Sequence, residues 1–212
     1  MIEDLTPLKE HKNIYFLDAG HGGIDEDGNY LTAGKRSPLW SDGTQYFEGQ
    51  GNRDIVDVIS KKLEALNVPF VVLCPEVSDV PLFERVARVL RYRTKLKKIV
   101  ISVHSDGWKT ETAHGWSVFT SKGQTESDNL ADCFIESAKE LLPNTYRIRG
   151  KKEANFFMLQ RHPFTAVLTE NLFHTNKKDC KFLMSEEGRE TIANIHVNAI
   201  LKYEQKPKKK QV

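Results

Sequence analysis

Short runs of apolar residues recur along the chain, and each run is bounded by turn-forming or polar residues. The segment KIVISVH (98–104) is the most strand-like of them, with Ile99, Val100 and Ile101 in succession. Near-continuous apolar runs of this length are typical of strands that are buried on both faces of a sheet. The pattern predicts strands at 14–18, 69–73, 98–104, 115–120, 155–159 and 165–170.

Between these runs, apolar residues recur at the three- and four-residue intervals that mark one face of a helix. Ile55, Ile59 and Leu63 repeat every four residues in the first such segment. Pro81 suits the first turn of another helix, on which Leu82 would face the core. Helices are predicted over 52–66, from 81 onward, and over 127–142, 176–184 and 185–203.

Strands therefore alternate with helices, which is the arrangement of an α/β fold. We expect a single domain over residues 1–205, built on a mainly parallel, twisted sheet of about six strands with helices covering both faces. The basic run at 206–212 is expected to be a disordered tail.

The composition is that of an ordinary globular protein, with 39% hydrophobic and 28% charged residues among 212. The net charge of +2 is too small to indicate nucleic-acid binding. No apolar run approaches the roughly 18 residues that are needed to span a membrane, so stable membrane association is not expected. Cys74, Cys133 and Cys180 are far apart and odd in number, so we interpret them as reduced core thiols rather than a disulfide framework.

Residues with metal-binding or acid–base chemistry stand where predicted strands end. His21 follows the first strand, His104 ends KIVISVH and Glu170 ends TAVLTE. Ligand sites of open α/β sheets lie at the carboxyl ends of the strands, so these residues are candidates for one cleft. Glu48 precedes the first long helix and would lean over the same edge. A His–Glu–His set matches a catalytic zinc site that leaves one position open for water.

Four motifs at these positions carry a family resemblance: LDAGHGG, FEGQGN, ISVHSDG and AVLTENLF. In this order they resemble the zinc-dependent N-acetylmuramoyl-L-alanine amidases of the Amidase_3 family, from Ile14 to about Tyr203. The resemblance implies that His21, Glu48 and His104 bind one zinc ion (Zn2+) and that Glu170 is the catalytic acid/base. It also implies hydrolysis of the peptidoglycan amide between N-acetylmuramic acid and the L-alanine of the stem peptide.

Several further residues are candidates for substrate contacts. Asp106 stands where the family usually has asparagine, two residues after His104. Trp40 and Trp108 lie in loops near the expected cleft, where they would stack on a sugar or pack against the protein. Arg36 would meet acidic groups of the stem peptide or lie on a solvated face. Asp18 is a candidate for orienting the imidazole of His21, with capping of the turn as the alternative.

Alternative functions stay open at this point. The same residues would suit another metal enzyme, such as a zinc peptidase or an iron oxygenase with two histidines and one carboxylate. A catalytically weak or inactive wall-binding module of the same fold is a second alternative.

The cellular setting is an expectation that rests partly on the likeness of the long loop to phage and prophage lysins. The N-terminus carries no visible secretory signal, so we expect synthesis in the cytoplasm and action on the cell wall after release. Reaching the wall would need cell lysis or a lysis partner that permeabilises the membrane. We expect a monomer whose partner is peptidoglycan.

Overall fold

The computed structural model describes residues 11–160 and 162–206, which form one α/β domain. Of the domain predicted over 1–205, the described part covers residues 11–160 and 162–205. Of the tail predicted over 206–212, it covers residue 206 alone. No described helix is both long and apolar enough to cross a membrane. The strands are β1 (Asn13–Ala19), β2 (Phe70–Val72), β3 (Lys97–Asp106), β4 (Trp116–Thr120), β5 (Ile148–Glu153) and β6 (Thr165–Phe173). The helices are α1 (Glu48–Ala65), α2 (Leu82–Arg91), α3 (Glu126–Leu141), α4 (Phe157–Gln160), α5 (Lys177–Met184) and α6 (Glu186–Gln205).

The six strands form one sheet in the order β2-β1-β3-β6-β4-β5. All neighbouring strands are parallel except β4 and β6, which are antiparallel. The predicted fold class is confirmed. The parallel pairs β1–β3 and β3–β6 bring the ends of these three strands together, and His104 of β3 lies directly beside Glu170 of β6.

Helices cover both faces of the sheet, and β1 shows this residue by residue. Tyr15 and Leu17 point into the larger core, which is built with α1, α3 and α6. Ile14 and Phe16 point into a second core, built with α2 and α4. This alternation explains why the strand reads as a continuous apolar run in the sequence.

One predicted strand is wrong, and one strand of the sheet was missed. The segment 155–159 was expected to be a strand, but its end lies in the short helix α4, where Met158 and Leu159 are buried. The strand β5, with the sequence IRGKKE, was not predicted. An edge strand needs one bonded neighbour and can leave its side chains in water, so its charged sequence carries no apolar signal.

Helix α1 begins at Glu48, four residues before the predicted start, so Glu48 belongs to the first turn rather than to the preceding loop. In α2, Leu82 is exposed and lines the cleft, so the prediction that it faces the core is wrong. The three cysteines are buried free thiols, as predicted.

Candidate metal centre and cleft

One cavity of about 710 Å³ opens at the carboxyl ends of β1, β3 and β6. His21, His104 and Glu170 line it, as the positions of the strand ends predict, and Glu48 lines it from the first turn of α1. An apolar wall from α4 and β6 borders these groups and includes Met158 and Leu168.

The imidazoles of His21 and His104 converge on one carboxylate oxygen. Oε1 of Glu48 lies 3.3 Å from Nε2 of His21 and 3.1 Å from Nδ1 of His104. One ligand atom from each of the three residues lies within 4.8 Å of the others. Two atoms that bind zinc at 2.0–2.1 Å in tetrahedral geometry are about 3.3 Å apart. The donor types and their spacing therefore fit a zinc ion with one open coordination position.

Backbone geometry brings the two histidines together. His21 has a φ of 67°, in the left-handed region that residues with a side chain rarely adopt. Gly20 lies against the ring of His104, and a Cβ at this position would overlap that ring. A Cβ on Gly49 would likewise overlap the carbonyl of Gly22. Glycine is therefore needed at positions 20 and 49 to let α1 and the loop that follows β1, which carries His21, approach His104.

Side chains from distant segments hold the backbone of this loop. The hydroxyl of Thr32 accepts a hydrogen bond from the amide of Gly22 at 2.7 Å. Arg53 donates to the carbonyl of His21 at 2.7 Å, and the buried Arg85 contacts the same carbonyl at 3.4 Å.

Asp18, a candidate for orienting the imidazole of His21, has its hydrogen bonds elsewhere. Its carboxylate pairs with Arg85 at 2.7 Å and accepts a hydrogen bond from Ser102 at 2.6 Å. These bonds satisfy the buried carboxylate beneath the loop, because an unpaired charge at a fully buried position would be costly. Asp18 supports the backbone of the site rather than a ligand ring.

Glu48 and the histidines polarise one another. Burial alone would raise the pKa of the Glu48 carboxyl, but hydrogen bonds and charges from His104 and His21 outweigh burial and lower it. Burial would lower the pKa of His104, whereas the neighbouring carboxylate raises it on balance. Glu48 is therefore an anion at neutral pH, as a metal ligand must be.

Glu170 has the opposite environment, although it lies in the same cavity. Burial is the main cause that raises its pKa to about 8, and the negative charges of Glu48 and Asp106 add to this effect. Its Oε2 atom is buried without a hydrogen-bond partner among the described residues. Two carboxyl groups of one cleft with separated pKa values are typical of distinct chemical roles.

The candidate substrate residues divide into two groups. Arg36, Asp106 and Trp108 line the cavity, and Trp108 is 63% exposed at its rim. Asp106 forms an ion pair with Arg149 at 3.1 Å. Trp40 does not line the cavity: it is buried, and its indole N–H points at the sulfur of Cys180 at 3.4 Å. The structure therefore supports the packing alternative for Trp40.

His174 is a cavity residue that the sequence analysis did not single out. It follows β6 directly and lines the cavity, and its Nδ1 atom lies 3.0 Å from the carbonyl of Ser105. Its ring stacks on Tyr46. Its position just past the carboxyl end of a strand is the signal that could have found it.

The fold and the site together define a candidate metal-dependent hydrolase. Three side chains of metal-ligating types share one cleft with a carboxyl whose Oε2 atom has no hydrogen-bond partner in the described part of the chain. The sequence profile of the Amidase_3 family, described as N-acetylmuramoyl-L-alanine amidase, matches residues 16–202. The chain belongs to this family. This family match confirms the enzyme class predicted from the sequence, an N-acetylmuramoyl-L-alanine amidase.

Individual relatives agree with this assignment. The chain is 30% identical over 207 residues to an uncharacterised cell wall amidase of Bacillus anthracis, across 92% of this chain and 36% of that protein. It is 26% identical over 196 residues to the endolysin of Bacillus phage SPP1, across 88% of this chain and 64% of the endolysin. An N-acetylmuramoyl-L-alanine amidase structure from Clostridium difficile superposes with a TM-score of 0.75 at 23% identity, covering 91% of this chain and 96% of that one. The superposition confirms the fold.

Proposed function

We propose that the chain hydrolyses the amide between N-acetylmuramic acid and L-alanine with one zinc ion held by His21, Glu48 and His104, and with Glu170 as the acid/base. The observation that carries this proposal is the shared cleft. A donor set with zinc spacing lines the same cavity as a carboxyl oxygen that has no hydrogen-bond partner within residues 11–160 and 162–206.

The chemistry divides between the metal and the protein. When bound, a zinc ion would acidify a water molecule and polarise the carbonyl oxygen of the substrate amide. Glu170 accepts a proton from water as the water oxygen adds to the carbonyl carbon. It then delivers this proton to the nitrogen of L-alanine as the carbon–nitrogen bond breaks. The products are a carboxylate on the muramic acid side and a free amine on the peptide.

The environment of Glu170 suits this exchange. A general acid/base works best when its pKa lies near the working pH, and burial raises the pKa of Glu170 to about 8. Lys35 lines the same cavity and acts in the opposite direction on this pKa. In the metal-free cleft the carboxyl therefore takes up and releases a proton near neutral pH.

The rim of the cavity is proposed to bind the substrate on either side of the amide. Arg36 and Trp108 line the rim and are exposed, so their side chains are free to meet a carboxylate of the stem peptide and a sugar ring. Asp106 is already in an ion pair with Arg149, so we propose that it contacts the substrate as a paired carboxylate, by accepting a hydrogen bond, rather than as a free charge.

For the biological setting, we propose a lysin role in which the chain acts on the wall after a partner has permeabilised the membrane. The likeness to a phage endolysin supports this proposal. Expression in a bacterial cytoplasm should leave cells intact until the membrane is opened with a permeabilising agent. Lysis by the chain alone would contradict the need for a partner.

The decisive experiment is incubation of the purified chain with peptidoglycan sacculi. We expect new N-terminal L-alanine, loss of activity with a chelator, and recovery on addition of zinc. Metal analysis should give one zinc per chain in the parent and none in His104→Ala. New reducing sugars would indicate a glycosidase, and intact sacculi with zinc-loaded protein would indicate an inactive wall-binding module.

A further inference from the structure

We infer that Arg53 is a positioning residue that fixes the spacing of the two ligands His21 and Glu48. Its guanidinium donates from Nη1 to the carbonyl of His21 at 2.7 Å and to the carbonyl of Gly49 at 3.0 Å. Gly49 directly follows Glu48 in the first turn of α1. One rigid group thus joins the backbone of one ligand to the backbone beside the other. This inference rests on the proposed metal site.

The same guanidinium also holds a third segment. Its Nη2 donates to the carbonyls of Glu76 at 2.8 Å and Ser78 at 3.4 Å, in the loop between β2 and α2. No ion pair with a carboxylate is found for Arg53 within residues 11–160 and 162–206. Its hydrogen bonds there go to backbone carbonyls. Charge-assisted bonds of this kind are stronger than bonds between neutral groups.

His21 needs this support because its backbone is strained. A φ of 67° on a residue with a side chain is unfavourable and persists only when the surroundings impose it. Relaxation of this dihedral would rotate the carbonyl away from Arg53 and carry the imidazole away from Glu48. The bond from Arg53 opposes both movements.

Arg85 also contacts the carbonyl of His21, but its main bonds lie elsewhere. It pairs with the buried Asp18 at 2.7 Å and donates to the carbonyl of Val80 at 2.8 Å. Removal of Arg85 would leave a buried carboxylate without its partner, so loss of stability would mask any effect on the site. Removal of the half-buried Arg53 would leave only backbone carbonyls without their donor, and no buried charge. Arg53 is therefore the residue whose effect on the site can be tested.

Arginine is required by geometry rather than by charge alone. The planar guanidinium presents several N–H groups in fixed directions and reaches carbonyls of three segments at once. A lysine ammonium keeps the charge but lacks the fork, so Arg53→Lys should retain part of the effect. Arg53→Met keeps much of the aliphatic packing and loses all four hydrogen bonds.

The experiment compares the parent, Arg53→Lys, Arg53→Met and the control Arg91→Met. Arg91 lies on α2 and pairs with Glu84 at the surface. Zinc affinity is measured by chelator competition, well below the unfolding temperature of each metal-free variant. The absorption spectrum of the cobalt(II)-substituted protein reports ligand geometry independently of activity.

Outer groups that orient metal ligands typically contribute 10- to 100-fold in metal affinity. We expect a loss of about this size for Arg53→Met, a smaller loss for Arg53→Lys, altered cobalt absorption bands in both, and no change for Arg91→Met. Zinc affinity within twofold of the parent in Arg53→Met would overturn the inference. If Arg53→Met does not fold, unchanged affinity and spectrum in Arg53→Lys would overturn it instead. A parent that binds no zinc would overturn the metal proposal, and this inference with it.

Discussion

Gly20 lies so close to the imidazole of His104 that even a methyl group on its Cα would overlap the ring. The two residues stand on the neighbouring parallel strands β1 and β3 and their continuations, and the amide of Gly20 donates to the carbonyl of Val103 at 3.0 Å. The position of a proposed metal ligand is thus limited by the absence of a side chain on the next strand.

Gly20→Ala should therefore displace the ring of His104 and weaken zinc binding by tenfold or more, while the fold survives. The strand bond to Val103 uses the backbone and remains. Zinc affinity by chelator competition and circular dichroism of the metal-free protein check both parts. Gly28→Asn is the control, because a side chain there meets open space and asparagine tolerates its positive φ. Unchanged zinc affinity in Gly20→Ala would show that the ring is free to move.

Glu170→Gln separates a proton carrier from a metal ligand. The amide is similar in size to the carboxyl but cannot accept and return a proton. Turnover of sacculi should fall by about 10²- to 10⁴-fold, while the variant still folds and binds one zinc. The rate at which new N-terminal L-alanine appears and the zinc content, measured on the same preparation, test both expectations. A variant with near-parental rates, or one that loses its zinc together with its activity, contradicts the assigned role.

Trp40 and Trp108 should respond in opposite ways to the same substitution. Trp40 is 6% exposed and belongs to the core, so Trp40→Ala should lower the free energy of unfolding by about 3–5 kcal/mol. Trp108 is 63% exposed at the rim of the cavity, so Trp108→Ala should leave stability unchanged. Turnover by Trp108→Ala at low substrate concentration should fall several-fold, because the proposed contact of the indole with the sugar is lost. Denaturant titration and initial rates on sacculi distinguish the two, and equal stability losses would refute the contrast.

Stability should fall on the acid side because of His196. Burial lowers the pKa of this fully buried imidazole from 6.5 to about 4. Its Nε2 lies 3.0 Å from the hydroxyl of Thr169, and its Nδ1 lies 2.8 Å from the carbonyl of Ile192. Between these two pKa values the unfolded chain binds a proton that the folded chain does not. Stability is therefore lost as pH falls from 6.5 to about 4, by at most about 3 kcal/mol.

The test is the free energy of unfolding of the metal-free protein between pH 4 and pH 7. His196→Gln should show a shallower decline than the parent over this window, because glutamine does not titrate. His114→Gln removes an exposed histidine instead and should follow the parent. Parallel curves for the parent and His196→Gln would exclude His196 as a source of acid sensitivity.

The sequence predicted those site residues that lie at the ends of predicted strands. His21, His104 and Glu170 each end an apolar run, and parallel strands present these ends along one edge of the sheet. The two tryptophans were not separable, because loop sequences carry no periodicity to say which side chain turns inward. Arg53 and Arg85 were missed for a related reason. Their main partners include backbone carbonyls and a distant carboxylate, which leave no local signal in the sequence.

The two outer strands of the sheet affect how readily separate molecules aggregate. An exposed strand edge invites pairing with another molecule unless it is short, charged or irregular. The strand β2 spans only Phe70–Val72. The strand β5 carries Arg149, Lys151 and Lys152, and its register with β4 shifts at Trp116/Ser117. Both edges are therefore poor templates for intermolecular strand addition, and concentrated solutions should resist amyloid-like aggregation through the sheet.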